Sequence, residues 1–123
     1  MPSPAEAQKR ANESLVGFPS RIIESYLAYA KSGDVASLDV VVLGVLQFYL
    51  AKKPKESLDA LPGTTRLIED LGCDSLTMMD TIFMVESLLD IKIDDTELAR
   101  MTTLDELRGY VRRQVKNGAP SAA

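Results

Sequence analysis

The segment from Leu38 to Lys52 constrains the fold more than any other part of the chain. A helix over this segment, starting near Ser37, would be apolar around nearly its whole circumference. The apolar side chains are Val40, Val41, Val42, Leu43, Val45, Leu46, Phe48 and Leu50. Such a helix should be covered on more than one side. The segment therefore predicts a central helix that packs against several other elements.

Two helices are predicted before it. Ser3 to Glu6 reads as a capping box with Pro4 at the first helical position, which predicts a helix to about Val16. Its apolar stripe is thin: Ala7, Ala11 and Leu15. A second helix, from Ser20 to about Lys31, has a stronger apolar face. That face carries Ile22, Ile23, Tyr26, Leu27 and Ala30. We expect the second helix to cover the outer face of the central one.

Pro54 ends the central helix, and a long loop is predicted from Lys53 to Asp70. Four apolar side chains in this loop are expected to anchor it on the core: Leu58, Leu61, Leu67 and Ile68. Gly72 then permits a sharp turn, and Asp74 is a favoured N-cap. The next helix is predicted from Ser75 to about Leu89.

The apolar residues of the Ser75 helix form two separate faces at 100° per residue. The core-facing set is Met78, Ile82, Val85 and Leu89. The other set is Leu76, Met79 and Phe83, continued by Glu86 and Asp90 and flanked by Asp80. This mixed apolar and acidic stripe indicates a docking surface for a partner with apolar hollows and basic residues. The alternative is a helix buried on two sides.

The C-terminal part predicts a short helical turn capped by Asp94 or Asp95, and then a final helix. Thr103 to Glu106 is a second capping box that opens this helix. Its apolar stripe is Leu104, Leu107, Tyr110, Val111 and Val115. Residues 117–123 are small and polar, which is typical of a flexible tail. Since no segment shows the alternation of apolar and polar residues that is typical of a β-strand, the sequence predicts an all-α fold.

Composition excludes several functions. A chain of 123 residues suits one small domain, and its net charge of −4 argues against nucleic-acid binding and for a partner with a basic surface. The absence of histidine excludes Ser-His-Asp and Cys-His catalysis and histidine-containing metal sites. The apolar run from Val40 to Leu46 is too short for a membrane span. We therefore expect a cytoplasmic protein.

Ser75 is the candidate functional residue. It would lie at the start of a helix, where free N–H groups and the helix dipole favour an anion such as a phosphate ester. As a catalytic nucleophile it lacks a histidine, and Met78 stands where a Ser-x-x-Lys motif needs lysine. The alternative is an ordinary first-turn residue. Cys73 is interpreted as a small turn residue, and no metal site is predicted because Lys92 interrupts the acidic segment Asp90 to Glu97.

The segment from Leu38 to Val115 resembles the acyl carrier protein family. The hallmark is Asp-Ser-Leu after a small turn. The matching elements, in order, are Leu67-Ile68-Glu69-Asp70-Leu71, Gly72-Cys73-Asp74-Ser75-Leu76, Val85-Glu86, Ile91-Lys92-Ile93-Asp94-Asp95 and Met101-Thr102-Thr103-Leu104. The resemblance implies a non-catalytic four-helix bundle over residues 36–116, preceded by an additional helical extension over residues 1–35.

For Ser75, preceded by Asp74, the resemblance implies covalent 4′-phosphopantetheine, transferred from coenzyme A by a separate transferase. The arm's thiol would then hold acyl groups as thioesters. The implied partner-binding residues are Leu76, Met79, Asp80, Phe83 and Glu86. The implied acyl pocket comprises Ile82, Val85, Leu89, Ile93, Leu98, Met101, Leu107 and Tyr110.

The implied partners are a phosphopantetheinyl transferase and enzymes of the acyl-transfer, ketosynthase, reductase and dehydratase types, in fatty-acid or polyketide-type biosynthesis. The carrier is expected to be a monomer when free. Thr77, Ser87 and Leu88 stand at positions that are often acidic, and Thr81 stands where an apolar residue is usual. These departures suggest a specialised carrier whose partner selection is less electrostatic. The alternatives are an unmodified carrier-like subunit of a larger assembly, a carrier for amino or hydroxy acids, and a small serine hydrolase.

Overall fold

The computed structural model describes residues 2–116, and this part of the chain is helical, without a β-strand. The α-helices are α1 (Pro4–Ser14), α2 (Ser20–Ser32), α3 (Val35–Tyr49), α4 (Ser75–Leu89), α5 (Asp95–Leu98) and α6 (Leu104–Lys116). A short 3-10 helix, Leu58–Ala60, lies in the loop before α4. The prediction of an all-α bundle with an N-terminal helical extension is confirmed. The predicted tail, 117–123, lies outside the described residues.

Helix α3 is the centre of the structure and packs against α2, α4 and α6. It begins at Val35, slightly earlier than predicted, because the Asp34 carboxylate caps it by accepting a hydrogen bond from the backbone N–H of Ala36 at 3.4 Å. Its buried residues are Leu38, Asp39, Val41, Val42, Leu43, Val45 and Leu46. The prediction that this helix is covered on more than one side is confirmed.

One of these buried residues is an acid, Asp39, which is only 8% exposed. The guanidinium of Arg112 on α6 donates two hydrogen bonds to its carboxylate, one of them at 3.0 Å from Nε. This ion pair compensates the carboxylate for its lost hydration. It also ties the last helix to the central one.

Helix α2 covers the outer face of α3, as the sequence predicts. Gly44 allows the two helices to approach closely, because a Cβ at this position would overlap the Cδ1 atom of Ile22. Farther along, the rings of Phe18 and Phe48 stack with their centroids 3.9 Å apart. The extension therefore contributes directly to the hydrophobic core.

The extension also binds the C-terminal end of α4 and the loop. The Tyr26 hydroxyl donates a 2.5 Å hydrogen bond to the carbonyl oxygen of Leu88, and Arg10 donates to the same oxygen at 3.4 Å. Arg21 donates two hydrogen bonds, at 3.0 and 2.6 Å, to the carboxylate of Asp59. Helices α1 and α2 are thus fixed to two other parts of the bundle.

The Tyr26 hydroxyl is expected to make stability depend on alkaline pH. Burial raises the pKa of Tyr26 from 10.0 to about 12. A raised folded-state pKa contributes stability that is complete below the unfolded value and is lost as the pH rises from 10 towards 12. At neutral pH, Tyr26→Phe should cost about 1 kcal/mol through the lost hydrogen bond. Urea unfolding should show this difference vanishing about one pH unit above 10 and reversing towards pH 12. A difference that is constant with pH would contradict the assignment.

The loop before α4 is anchored by fewer apolar residues than expected. Leu58 and Leu67 are buried and Leu61 is half-buried, but Ile68 is 68% exposed, so its prediction as a core anchor is wrong. The N–H of Leu67 donates a 2.8 Å hydrogen bond to the carbonyl of Thr102, which turns the Leu67 side chain inward. Residues 67–71 form a turn, closed by hydrogen bonds from the Asp70 and Leu71 N–H groups to the Arg66 carbonyl, and Ile68 lies on its exposed side.

The last two helices begin as predicted. The Asp94 carboxylate accepts a hydrogen bond from the N–H of Thr96 at 2.7 Å, and therefore caps α5. At the start of α6, the Thr103 hydroxyl accepts from the Glu106 N–H at 3.2 Å, and the Glu106 carboxylate accepts from the Thr103 N–H at 3.1 Å. Both reciprocal hydrogen bonds of the predicted capping box are therefore present.

Candidate functional site

A tight turn places Ser75 at the first position of α4. Gly72 has a φ of +67°, and the N–H groups of Gly72 and Cys73 donate to the carbonyls of Ile68 and Leu67 at 3.0 and 2.9 Å. A positive φ of this kind is comfortable only for glycine among common residues. The turn therefore ends at Asp74 and presents Ser75 on the protein surface.

The Asp74 carboxylate closes the first turn of α4. It accepts a 2.8 Å hydrogen bond from the backbone N–H of Thr77, and this bond lowers the pKa of Asp74 below its ordinary value. The first turn of the helix contains no acidic side chain. The N–H groups and the dipole at this end therefore favour a negative group attached at Ser75.

A cleft of about 620 Å³ opens beside Ser75. Its walls come from the loop, from the start of α4 and from α5, and they include Ile68, Met78, Met79, Leu98 and Met101. Most of these walls are apolar. An apolar group tethered to Ser75 could lie in this cleft, out of water.

The residues expected to form an acyl pocket divide into two sets. Leu98 and Met101 are half-buried and line the cleft beside Ser75. The others are buried in the hydrophobic core: Ile82, Val85, Leu89, Ile93, Leu107 and Tyr110. The structure therefore brings only the first set to the surface next to the serine.

Helix α4 has the exposed apolar face expected from its helical wheel. Leu76, Met79 and Phe83 are 67%, 51% and 61% exposed, while Val85 on the core-facing side is fully buried. The exposed residues are three and four positions apart, so they are neighbours on the helix surface. They form an apolar surface that starts directly beside Ser75.

Of the three acids expected on this face, Asp80 and Glu86 are half-buried and Asp90, directly after α4, is exposed. The charge of Asp80 adds to burial in raising the pKa of Tyr49 on α3 above its ordinary value. The Glu86 carboxylate accepts a 2.8 Å hydrogen bond from the backbone N–H of Ile93. Glu86 therefore fixes the segment after α4 in addition to any part it has in docking.

A third face of α4 was missed by the sequence analysis. Thr77, Thr81 and Leu88 are 6%, 0% and 0% exposed. Of the three positions that are often acidic in the family, 77, 87 and 88, only Ser87 is exposed. The Thr81 hydroxyl donates to the Thr77 carbonyl at 2.8 Å, so it is not an unsatisfied polar group. The i, i+4, i+11 spacing of Thr77, Thr81 and Leu88 is a helical signal that could have revealed the face. Positions 77 and 88 are covered by the rest of the protein, and this explains why neither carries an acidic side chain.

The Cys73 side chain is 3% exposed, and burial raises the pKa of its thiol to about 11. The residue is therefore protonated and shielded at neutral pH. This agrees with its interpretation as a small turn residue.

Comparisons with known proteins agree with these features. A family described as "Phosphopantetheine attachment site" matches residues 45–111, which is more than half of the chain. This match begins in the C-terminal part of α3 and continues into α6, but does not include α1 or α2. No solved structure gives a significant match. Among the described residues, no helix is long and apolar enough to cross a membrane.

Several curated relatives are acyl carrier proteins. That of Desulforapulum autotrophicum is 36% identical over 56 residues, which are 46% of this chain and 71% of that protein. That of Campylobacter hominis is 30% identical over 59 residues, 48% of this chain and 75% of that protein. That of Thermotoga maritima is 34% identical over 50 residues, 41% of this chain and 62% of that protein, so less than two thirds of that relative is matched. The chain belongs to the acyl carrier protein family, whose carrier domains bear covalently attached 4′-phosphopantetheine and are not themselves enzymes.

Proposed function

We propose that Ser75 is the attachment residue for 4′-phosphopantetheine, and that the thiol of this arm carries acyl groups as thioesters in fatty-acid or polyketide-type biosynthesis. The observation that carries the proposal is the exposed Ser75 hydroxyl at the N-terminus of α4, beside an apolar cleft. Asp74 holds the first turn of the helix in place and thereby positions the hydroxyl.

In the attachment reaction, Ser75 supplies the oxygen that forms the new bond to phosphorus. The phosphorus–oxygen bond inside the diphosphate of coenzyme A breaks, and the adenosine bisphosphate leaves with the other phosphate. The serine proton needs an acceptor, and the chain has no histidine to provide one. In this proposal the transferase supplies the base, and Ser75 acts as a substrate.

We also propose that the exposed side of α4 is the docking face for the transferase and for acyl-transfer, ketosynthase, reductase and dehydratase type enzymes. Its residues are Leu76, Met79, Asp80, Phe83 and Glu86. Exposed apolar side chains beside the attachment point support this role, because burying them in a partner would favour association.

For the acyl group, we propose shelter first in the cleft lined by Leu98 and Met101. A longer chain would extend among the core residues Ile82, Val85, Leu89, Ile93, Leu107 and Tyr110. The apolar character of both regions supports this order of filling. In this proposal residues 36–116 form the carrier unit and residues 1–35 an extension bound to it, and a cytoplasmic location stays a prediction.

The test is intact mass spectrometry after incubation of the apo-protein with coenzyme A and a phosphopantetheinyl transferase. The wild type should gain the mass of one phosphopantetheine group, and Ser75→Ala should gain nothing. Ser87→Ala is the matched control, since Ser87 is an exposed serine of the same helix, and it should be loaded normally. No gain in the wild type would contradict the carrier function and favour an unmodified assembly subunit. A gain in Ser75→Ala would contradict the site.

Thiol titration provides a second measurement of the same event. Because Cys73 is buried and its pKa is raised to about 11, it should react slowly with a thiol reagent at pH 8 in the folded protein. Loading should therefore add one rapidly reacting thiol to a protein that has none. Rapid reaction of the apo-protein would show that Cys73 is accessible.

A further inference from the structure

We propose that Ile68 belongs to the docking surface, and that this surface fits an apolar hollow on a partner protein rather than a basic patch. The inference rests on the proposed function of Ser75. The surface, which we call the apolar rim, consists of Ile68 from the loop and Leu76, Met79 and Phe83 from α4.

The rim brings together most of the exposed large apolar side chains. Among the described residues six such side chains are exposed, and four of them belong to the rim. Ile68 and Met79 line the same cleft as Ser75, and Leu76 and Phe83 are the helical neighbours of Met79. Exposed apolar groups gathered in this way around one point are typical of an interaction site.

The backbone holds Ile68 outward before any partner arrives. The Ile68 carbonyl accepts the N–H of Gly72 at 3.0 Å, and the adjacent Leu67 is tied to Thr102 by its own N–H. The buried Leu67 side chain anchors the same turn. Ile68 is therefore pre-organised, so that little conformational entropy is lost when it enters a hollow.

Four acids near the rim, Glu69, Asp70, Asp74 and Glu86, are engaged within the chain, and a fifth, Asp80, is half-buried. Arg66 pairs with Glu69 at 3.7 Å and with Asp70 at 3.4 Å, and its backbone N–H also donates to Asp70 at 2.8 Å. Asp74 and Glu86 each accept a backbone N–H at 2.8 Å. A basic patch on a partner would compete with these bonds. An apolar hollow that receives the rim leaves them intact.

The covered third face of α4 limits the direction of approach. Leu88 is fully buried, and its carbonyl oxygen is bound by Tyr26 and Arg10 of the extension. A partner can therefore reach α4 from the side of the rim, where Ser75 is exposed, but not from the side of the extension.

The test uses the phosphopantetheinyl transferase as the probe partner and measures KM and kcat for loading of the apo-protein. Ile68→Ser should raise KM about tenfold with little change in kcat, because one buried apolar contact is lost. Ile68→Leu should restore the wild-type KM. Val16→Ser is the matched control, since Val16 is also exposed, at 74%, but lies between α1 and α2, and its KM should not change.

Salt dependence separates the apolar hollow from the basic patch. Between about 50 and about 500 mM salt, the wild-type KM should change less than about twofold, because apolar contacts are not screened. Normal loading with an unchanged KM for Ile68→Ser, or a KM that rises about tenfold with salt, would overturn the inference and leave the attachment at Ser75 standing. Absence of loading would instead contradict the proposed function. Melting temperatures should show that Ile68→Ser, at an exposed position, remains folded.

Discussion

Val85→Asp is expected to unfold the protein. Val85 is fully buried on the core-facing side of α4. An aspartate there would lose the packing of the valine, about 2 kcal/mol, and would leave a buried carboxylate without a partner, about 3–5 kcal/mol, so that the total cost is about 5–7 kcal/mol. A domain of this size has a total stability of only about 5–15 kcal/mol. Circular dichroism should therefore show a shallow, non-cooperative thermal transition or none.

Ser87→Asp is the matched control for this substitution. Ser87 is exposed and lies two residues farther along the same helix. The added charge there should change the free energy of unfolding by less than about 1 kcal/mol, mainly through the helix dipole. If Val85→Asp melted as cooperatively as Ser87→Asp, the placement of α4 in the core would be wrong.

Deletion of residues 1–33 is expected to have a similarly large effect. The extension supplies Phe18, Ile22 and Tyr26 to the hydrophobic core, and its loss would expose the outer face of α3 and the end of α4 at Leu88. A large uncovered apolar surface promotes association between chains. The truncated protein should be poorly soluble and should melt at a much lower temperature. Solubility and melting equal to those of the full chain would show that the extension is dispensable.

A pair of point substitutions tests the same contact without shortening the chain. Ile22→Asp places a charge against Gly44 in the interface between α2 and α3, and should cost about 3–5 kcal/mol. Val16→Asp places the same charge on an exposed turn residue, and should change stability by about 0.5 kcal/mol or less. Urea unfolding of both variants compares them directly.

The parts of the structure that local sequence determines could be predicted well. Asp74 and the Thr103 to Glu106 box mark helix starts because their side chains bind N–H groups within the same turn. The burial of α3 was predictable for a different reason: a helix that is apolar around its circumference has no face that is suited to solvent exposure. The position of Ser75 at the start of α4 follows from these local signals alone.

The missed features depend on contacts between segments that are distant in the chain. Ile68 is predicted as a core anchor because it is apolar, yet the turn over residues 67–71, which the Leu67 N–H ties to Thr102, buries Leu67 and leaves Ile68 exposed. Leu88 stands at a position that is often acidic in the family, and nothing in α4 itself shows that Tyr26 and Arg10 reach this end of the helix. Tertiary contacts of this kind override local patterns.

The close approach at Gly44 makes the sequence of α3 depend on the sequence of the extension. A glycine inside a helix costs about 0.5–1 kcal/mol relative to alanine, so the position is unfavourable unless something occupies the space of the missing side chain. Ile22 occupies it. An alanine at position 44 would therefore require the Ile22 side chain to move or to be replaced by a smaller residue. Positions 22 and 44 should therefore be coupled in stability: the effects of Ile22→Val and Gly44→Ala should not add, because each substitution changes the space that the other needs.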